Sequence, residues 1–127
     1  MIVVDTSALI AILMLEPQAA ACQAALVASA TSLISAGTLA EALVVAGRRG
    51  LADDLAAMVD ELDFEVVPVT KATSLRIASV YAKWGKGIHL AGLNFGDCYA
   101  YDLARDRSCK LLFIGNDFSK TDIAGVL

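Results

Sequence analysis

Four short runs of apolar residues, rich in β-branched side chains, punctuate the chain at Met1 to Val4, Thr31 to Ser35, Phe64 to Val69 and Lys110 to Ile114. Each is bounded by turn-forming or charged residues and is too short for a helix, so each predicts a strand. The intervening segments carry helical patterns. Ser7 to Leu15 is apolar almost all round and predicts a buried helix entered through Asp5-Thr6-Ser7, with Thr6 or Ser7 as its cap. Glu16-Pro17 interrupts the pattern, Pro17 suiting a first helical turn, and Gln18 to Ala30 is an alanine-rich helix. Further helices are expected over Thr38 to Arg48 and over Leu51 to Leu62, the latter with Asp53, Asp54, Asp60 and Glu61 on its solvent side. Thr70 caps a helix that runs to Trp84 and stops at Gly85 and Gly87, and a last helix containing Asp97 starts near Asn94. Strands alternating with helices imply right-handed crossovers, hence an α/β fold with a central parallel sheet of four to five strands and helices on both faces.

At 127 residues, without a linker, repeat or low-complexity tract, the chain is expected to form one domain over residues 1–127. A hydrophobic content of 57% raises the question of a membrane, but the longest apolar run, Ala8 to Leu15, falls far short of the ~20 residues of a spanning helix. Asp5 sits where a secretory leader would be most apolar, so the expected location is the cytoplasm, with no membrane partner. Cys22, Cys98 and Cys109 are odd in number, lack CxxC spacing and lie in or beside apolar segments, the pattern of buried free thiols.

The candidate chemistry lies in the acids. Asp5 and Asp117 fall just past the carboxyl ends of two predicted strands, the edge of an open α/β sheet where ligands bind. Glu41 falls in about the first turn of the helix after Thr31 to Ser35, near the same edge, and Asp97 falls at the start of the helix before Lys110 to Ile114. Singly, each has an ordinary structural reading as a helix cap, turn residue or partner of a helix dipole. Four crowded carboxylates in apolar surroundings repel one another unless a cation neutralises them. A hard divalent ion, Mg2+ or Mn2+, suits an all-oxygen site, and one or two such ions with open positions point to phosphoryl transfer by an activated water.

A net charge of -4 argues at first against a nucleic-acid partner. With four of the 14 acids assigned to the site, however, the ten that remain balance the ten Lys and Arg residues, so an RNA substrate stays open.

The segments VVDTSALIAIL, SAGTLAEALVV, GLNFGDCYAYDLA and LLFIGNDFSKTDI together make the chain similar, almost end to end, to the PIN-domain ribonucleases, specifically the VapC toxins of bacterial type II toxin–antitoxin pairs. The resemblance implies a PIN-like fold and a metal-dependent endoribonuclease. It also implies a homodimer, inhibited by a VapB-type antitoxin whose C-terminal segment lies along the active-site groove; transfer RNA is a common target in that family. It implies that Asp5, Glu41, Asp97 and Asp117 are the catalytic, metal-holding acids. The hydroxyl of Ser7, or of Thr6, would orient Asp5 or a water on the metal, and Asn116 would position Asp117.

The pattern is not identical throughout. Some relatives carry an acid where this chain has Gly115, which thins one side of the cup; Asp122 could compensate but reads better as a surface residue. Close relatives often have a basic residue where this chain has Ile88. Arg48, Arg49, Lys83, Lys86 and Arg105 are candidate RNA phosphate contacts. His89, the only histidine, reads as a loop residue, and Tyr81 and Trp84 as packing residues of one helix face. Two other readings are weighed. In a small phosphohydrolase Asp5 would be the nucleophile, but that pattern wants a second Asp where Ser7 stands. The other is a non-catalytic module that keeps the fold and a partner groove.

Overall fold

A computed structural model describes residues 1–127. Its sheet consists of β1 (Ile2–Val4), β2 (Ser32–Ser35), β3 (Glu65–Val67) and β4 (Lys110–Leu112), all parallel, in the spatial order β3-β2-β1-β4. Val3 pairs with Leu33 and Leu111, and Val4 with Leu112. Because side chains alternate along a strand, Val3, Leu33 and Leu111 face one side of the sheet while Val4, Ile34 and Leu112 face the other, and all six are fully buried. A parallel sheet of this kind must be covered on both faces.

The Val4 face is covered by α1 (Thr6–Leu13), α2 (Ala19–Ala28), α3 (Ala36–Gly47) and α4 (Ala52–Glu61), which contribute Leu9, Ile12, Cys22, Leu26, Ala42 and Leu55 to one core. The Val3 face is covered by α5 (Lys71–Trp84) and α6 (Phe95–Asp106) through Ile77, Trp84, Cys98, Tyr101 and Leu103. Each fully buried Leu, Ile or Val contributes about 1.5–3 kcal/mol, so the two cores hold the layers together from both sides. Residues 124–126 run beside β4, with the Leu111 N–H donating to the Ala124 carbonyl at 2.9 Å and the Val126 N–H donating to the Leu111 carbonyl at 3.0 Å, and they shield that sheet edge. No helix is long and apolar enough to cross a membrane.

The expected elements are present, with shifted ends. The third strand stops at Val67 because Pro68 has no N–H to give the ladder. The helix expected from Thr38 starts at Ala36, where Ser35 accepts the Gly37 N–H at 3.2 Å; Glu41 therefore stands sixth, in the second turn rather than the first. The cap of α1 is Asp5, not Thr6 or Ser7: Asp5 keeps an extended backbone and accepts the Ser7 N–H at 3.1 Å, while Thr6 and Ser7 are already helical. Thr70 does cap α5, as one half of a capping box with Thr73. All three cysteines are free thiols, Cys22 and Cys98 buried and Cys109 half-buried.

The chain leaves β1 for β2 on one side and returns to β4 on the other, so the switch point of the sheet lies between β1 and β4. The residues following both strands, Asp5 among them, open onto that crevice. Two glycines draw α3 and α6 together beside it. A side chain at Gly37 would overlap the Tyr99 ring, and one at Gly96 would overlap the Glu41 carboxylate.

Candidate functional site

Asp5, Glu41, Asp97 and Asp117, which come from four separate parts of the chain, line one pocket of about 380 Å³. Thr6, Ser7, Ile10, Glu16, Val45, Asn94 and Ile114 complete the lining, and no Lys, Arg or His is among them. None of the protein's four ion pairs involves any of these acids. The pocket is an acidic enclosure without a protein counter-charge.

Each acid is held differently. Asp5 is buried at the end of β1, and its Oδ2 accepts both the Ser7 N–H and the Ser7 hydroxyl, the latter at 2.6 Å. The same hydroxyl oxygen accepts the Ile114 N–H at 3.0 Å, which ties the carboxylate to the segment after β4. Asp5 Oδ1, by contrast, is buried without any hydrogen-bond partner. Asp97 is buried in the first turn of α6, where its Oδ2 accepts the Asn94 N–H at 3.0 Å while the Asn94 side chain accepts the Asp97 N–H at 2.8 Å. That reciprocal capping box serves the helix and aims the carboxylate at once. Glu41 is half-buried and Asp117 exposed at the mouth.

Thr6 differs from its expected role. Its hydroxyl donates to Glu41 Oε1 at 2.7 Å, so it orients Glu41 and leaves Asp5 to Ser7. The Asn116 side chain makes no hydrogen bond to Asp117; Asn116 serves the turn through its carbonyl, which accepts from the Ser119 hydroxyl at 2.7 Å. Asp122 does not compensate for Gly115, being held elsewhere by the Tyr101 hydroxyl and by Arg105 at 3.7 Å.

Burial is the main reason the Asp5 carboxyl is pushed up to about 6, against the two Ser7 hydrogen bonds and with help from the charge on Glu41. Burial likewise pushes Asp97 up to about 7, opposed by the Asn94 N–H and reinforced by Asp5, Asp117 and Glu41. Both acids are therefore poorly neutralised by the protein itself.

The donor set fits a hard divalent cation. An orphaned, buried carboxylate oxygen in a cation-free acidic pocket is the environment such an ion satisfies. No three of the acids converge tightly enough to enclose an ion without other ligands. That arrangement suits Mg2+, which takes one or two carboxylates and keeps several waters.

The glycine at 96 makes a test. A Cβ there would overlap Glu41 Oε2, so Gly96→Ala must displace that carboxylate from its bond to Thr6. The displaced group is a flexible chain end, and alanine is the better helix former by about 1 kcal/mol, so the melting temperature is expected to hold or rise. Catalytic rate is expected to fall about 10–100-fold, the usual scale for lost ligand orientation. Parallel melting and cleavage measurements on the one variant separate the two effects.

The basic candidates lie outside the pocket. Arg48 and Arg49 lie just past the C-terminal end of α3, and Arg105 stands about 12 Å along α6 from Asp97, engaged with Asp122. Lys83 sits over the Trp84 ring at 4.8 Å, and Lys86 is exposed. His89 accepts the Ala91 N–H through Nδ1 and packs edge-on against Trp84, as a loop residue does. Trp84 itself donates to the Tyr101 hydroxyl inside the core. The one acid of the lining that the sequence pattern had not marked is Glu16.

Comparison with known proteins gives a consistent picture. The PIN domain family model matches residues 2–124. Ribonuclease VapC30 of Mycobacterium tuberculosis is 43% identical over 129 residues, covering 98% of this chain and 97% of that protein. Ribonuclease VapC of Mycolicibacterium smegmatis is 37% identical, with 98% of each chain covered. Among solved structures, Mycobacterium tuberculosis VapC20, described as a sarcin-ricin loop cleaving toxin, superposes with a TM-score of 0.80 at 17% identity over 99% of this chain and 98% of that one. A toxin–antitoxin complex from Klebsiella pneumoniae superposes with a TM-score of 0.71 at 18% identity, covering 96% and 93%.

Proposed function

Since the chain belongs to the PIN domain family and has VapC ribonucleases as relatives along its whole length, we propose that its acidic pocket is an Mg2+ or Mn2+ site at which it cuts RNA as the toxin of a toxin–antitoxin pair. The observation that carries the reading is Asp5: a buried carboxylate with one oxygen fixed by Ser7 and the other without a partner, in a pocket with no positive charge. Asp5 and Asp97, with Glu41 and Asp117, would hold one or two such ions, and the chemistry supplied there would be Lewis-acid polarisation of a phosphodiester and acidification of a water.

The chain's own residues supply binding and orientation. Asp5 and Asp97 offer the buried carboxylates, each held in one rotamer by Ser7 or Asn94. Thr6 sets the angle of Glu41, and Asp117 stands at the open side where substrate enters. Ile10, Val45 and Ile114 are the apolar residues of the lining. Arg48, Arg49, Lys83, Lys86 and Arg105, lying outside the pocket, contact the RNA backbone away from the scissile phosphate. Residues 1–127 work as one domain, paired as a homodimer in the cytoplasm, and a VapB-type antitoxin is the inhibitory partner. Transfer RNA is a candidate substrate.

The phosphohydrolase reading loses ground because Ser7 stands where that pattern wants a second Asp and engages Asp5 Oδ2 twice. The test is chelation. Purified chain is expected to cleave RNA with Mg2+ or Mn2+, to stop in excess chelator and to resume when either ion is restored. Full cleavage in chelator would overturn the reading.

A further inference from the structure

Ser7, Thr6 and Asn94 orient Asp5, Glu41 and Asp97 by hydrogen bonds, but no group of the protein does so for Asp117, which is exposed. Its direction is set by the backbone that carries it. On the near side that backbone is tied at Ile114, whose N–H donates to the Ser7 hydroxyl oxygen at 3.0 Å. Gly115 then intervenes at φ +94°, with open space where a side chain would be, and is the least restricted joint of the segment. A tie before that joint cannot by itself fix Asp117 beyond it.

Past Asp117 the chain is bonded into one unit. The Ser119 N–H and hydroxyl both donate to the Asn116 carbonyl, the Thr121 N–H and hydroxyl both donate to the Phe118 carbonyl, and the Ile123 N–H donates to the Thr121 hydroxyl oxygen. Phe118 is the only buried residue from Gly115 to Ile123. One side-chain hydrogen bond joins this unit to the rest of the protein: the Tyr101 hydroxyl donates to Asp122 Oδ1. Tyr101 is buried, and its oxygen accepts the Trp84 Nε1–H at 3.0 Å, so the hydroxyl is fixed from both sides. It stands four residues after Asp97 on α6, one turn along the same face. The helix that carries Asp97 therefore also holds the far end of the turn that carries Asp117. The bond draws the Asp122 carboxyl below the usual carboxylate range, while burial and then Asp122 push the Tyr101 hydroxyl up to about 12, so the pair stays a charge-assisted hydrogen bond at neutral pH.

We infer that the Tyr101–Asp122 bond pins the turn of residues 115–123 to α6 and thereby sets the placement of Asp117 relative to Asp97, which makes Tyr101 and Asp122 positioning residues for cleavage. The inference rests on Asp117 taking part in the site as proposed above. It gives α6 two tasks, holding one carboxylate directly and another through the turn, and it gives Asp122 a role without bringing its carboxylate into the pocket.

Two variants break the bond from opposite sides. Tyr101→Phe removes the hydroxyl and leaves the Asp122 pair with Arg105, whereas Asp122→Ala leaves Trp84 bonded to Tyr101, and either carries the test if the other fails to fold. Single-turnover RNA cleavage by the full chain at saturating Mn2+ is expected to slow about 10-fold in each, and to stay within about twofold of wild type in Asp122→Asn, whose amide oxygen still accepts from Tyr101. In an Asp117→Asn background the same two substitutions are expected to change the residual rate little, because the group they position is already lost; a general loosening would lower the rate by the same factor in both backgrounds. In the metal-free chain, amide hydrogen exchange at Ser119, Thr121 and Ile123 is expected to quicken in both variants while that of Val3 and Leu111 holds. An equal factor in both backgrounds, wild-type rates in both variants, or unchanged exchange in the turn would overturn the inference. Wild-type cleavage by Asp117→Asn would remove Asp117 from the chemistry and the positioning role with it, and no cleavage by wild type at any Mn2+ concentration would bring down the reading of the pocket itself.

Discussion

Asp5→Asn is expected to lower RNA cleavage by about 10³-fold or more while the protein remains folded. The substitution keeps the size of the side chain and an oxygen to accept from Ser7, but it removes the charge from the one buried carboxylate with an unpartnered oxygen. A Lewis-acid contribution of several kcal/mol is lost with the ion, and each 1.36 kcal/mol is a tenfold in rate. In cells, induction of wild type is expected to arrest growth and induction of the variant at equal abundance is not. Far-ultraviolet circular dichroism of the two proteins should coincide. Wild-type cleavage by a folded Asp5→Asn protein would separate Asp5 from the chemistry.

The second large effect is on stability and has a definite sign in pH. Asp97 ionises near 3.8 in an unfolded chain and is pushed up to about 7 in the folded, metal-free one. Between those values the folded state binds the proton more tightly, so its contribution is complete below about pH 4 and is lost as pH rises through about 7. Asp5, pushed up to about 6, acts in the same direction over a lower window. Metal-free wild type is therefore expected to be less stable at pH 8 than at pH 5, by on the order of 3 kcal/mol from Asp97. Asp97→Asn keeps the Asn94 N–H bond through its amide oxygen and removes the titrating group, so its melting temperature at pH 8 should exceed wild type by about 10 °C in chelator. Excess Mn2+ should restore wild type at pH 8 and do little for the variant. A flat pH profile for metal-free wild type would mean that Asp97 is solvated and unstrained.

Most of the fold was legible because its signals are local. Four short apolar runs became four strands, and Thr70 and Asn94 marked helix starts through hydroxyl and amide caps that act within three residues. The four acids could be placed at one sheet edge because a parallel α/β sheet brings strand ends and the following helices together. What stayed hidden depends on contacts between distant residues. Thr6 lies next to Asp5 in sequence but bonds Glu41, 35 positions away, where Gly96 leaves room for the Glu41 carboxylate. Glu16 was marked only as part of the break at Glu16-Pro17, since the left-handed residue just before it is Leu15, where glycine would have announced the turn. Asp122 already read as a surface residue, but Arg105 could not be set aside, because its pairing with Asp122 joins residues far apart in the chain.

The pocket between β1, α3 and α6 is expected to bind a divalent cation. Crystals of the chain grown with Mn2+ and measured at the manganese absorption edge test it most directly, since anomalous scattering locates the ion without reference to activity. An anomalous peak is expected within coordination distance of an Asp5 or Asp97 carboxylate oxygen, absent from crystals of Asp5→Asn. No peak in the pocket at saturating Mn2+, or a peak that persists unchanged in Asp5→Asn, would contradict it.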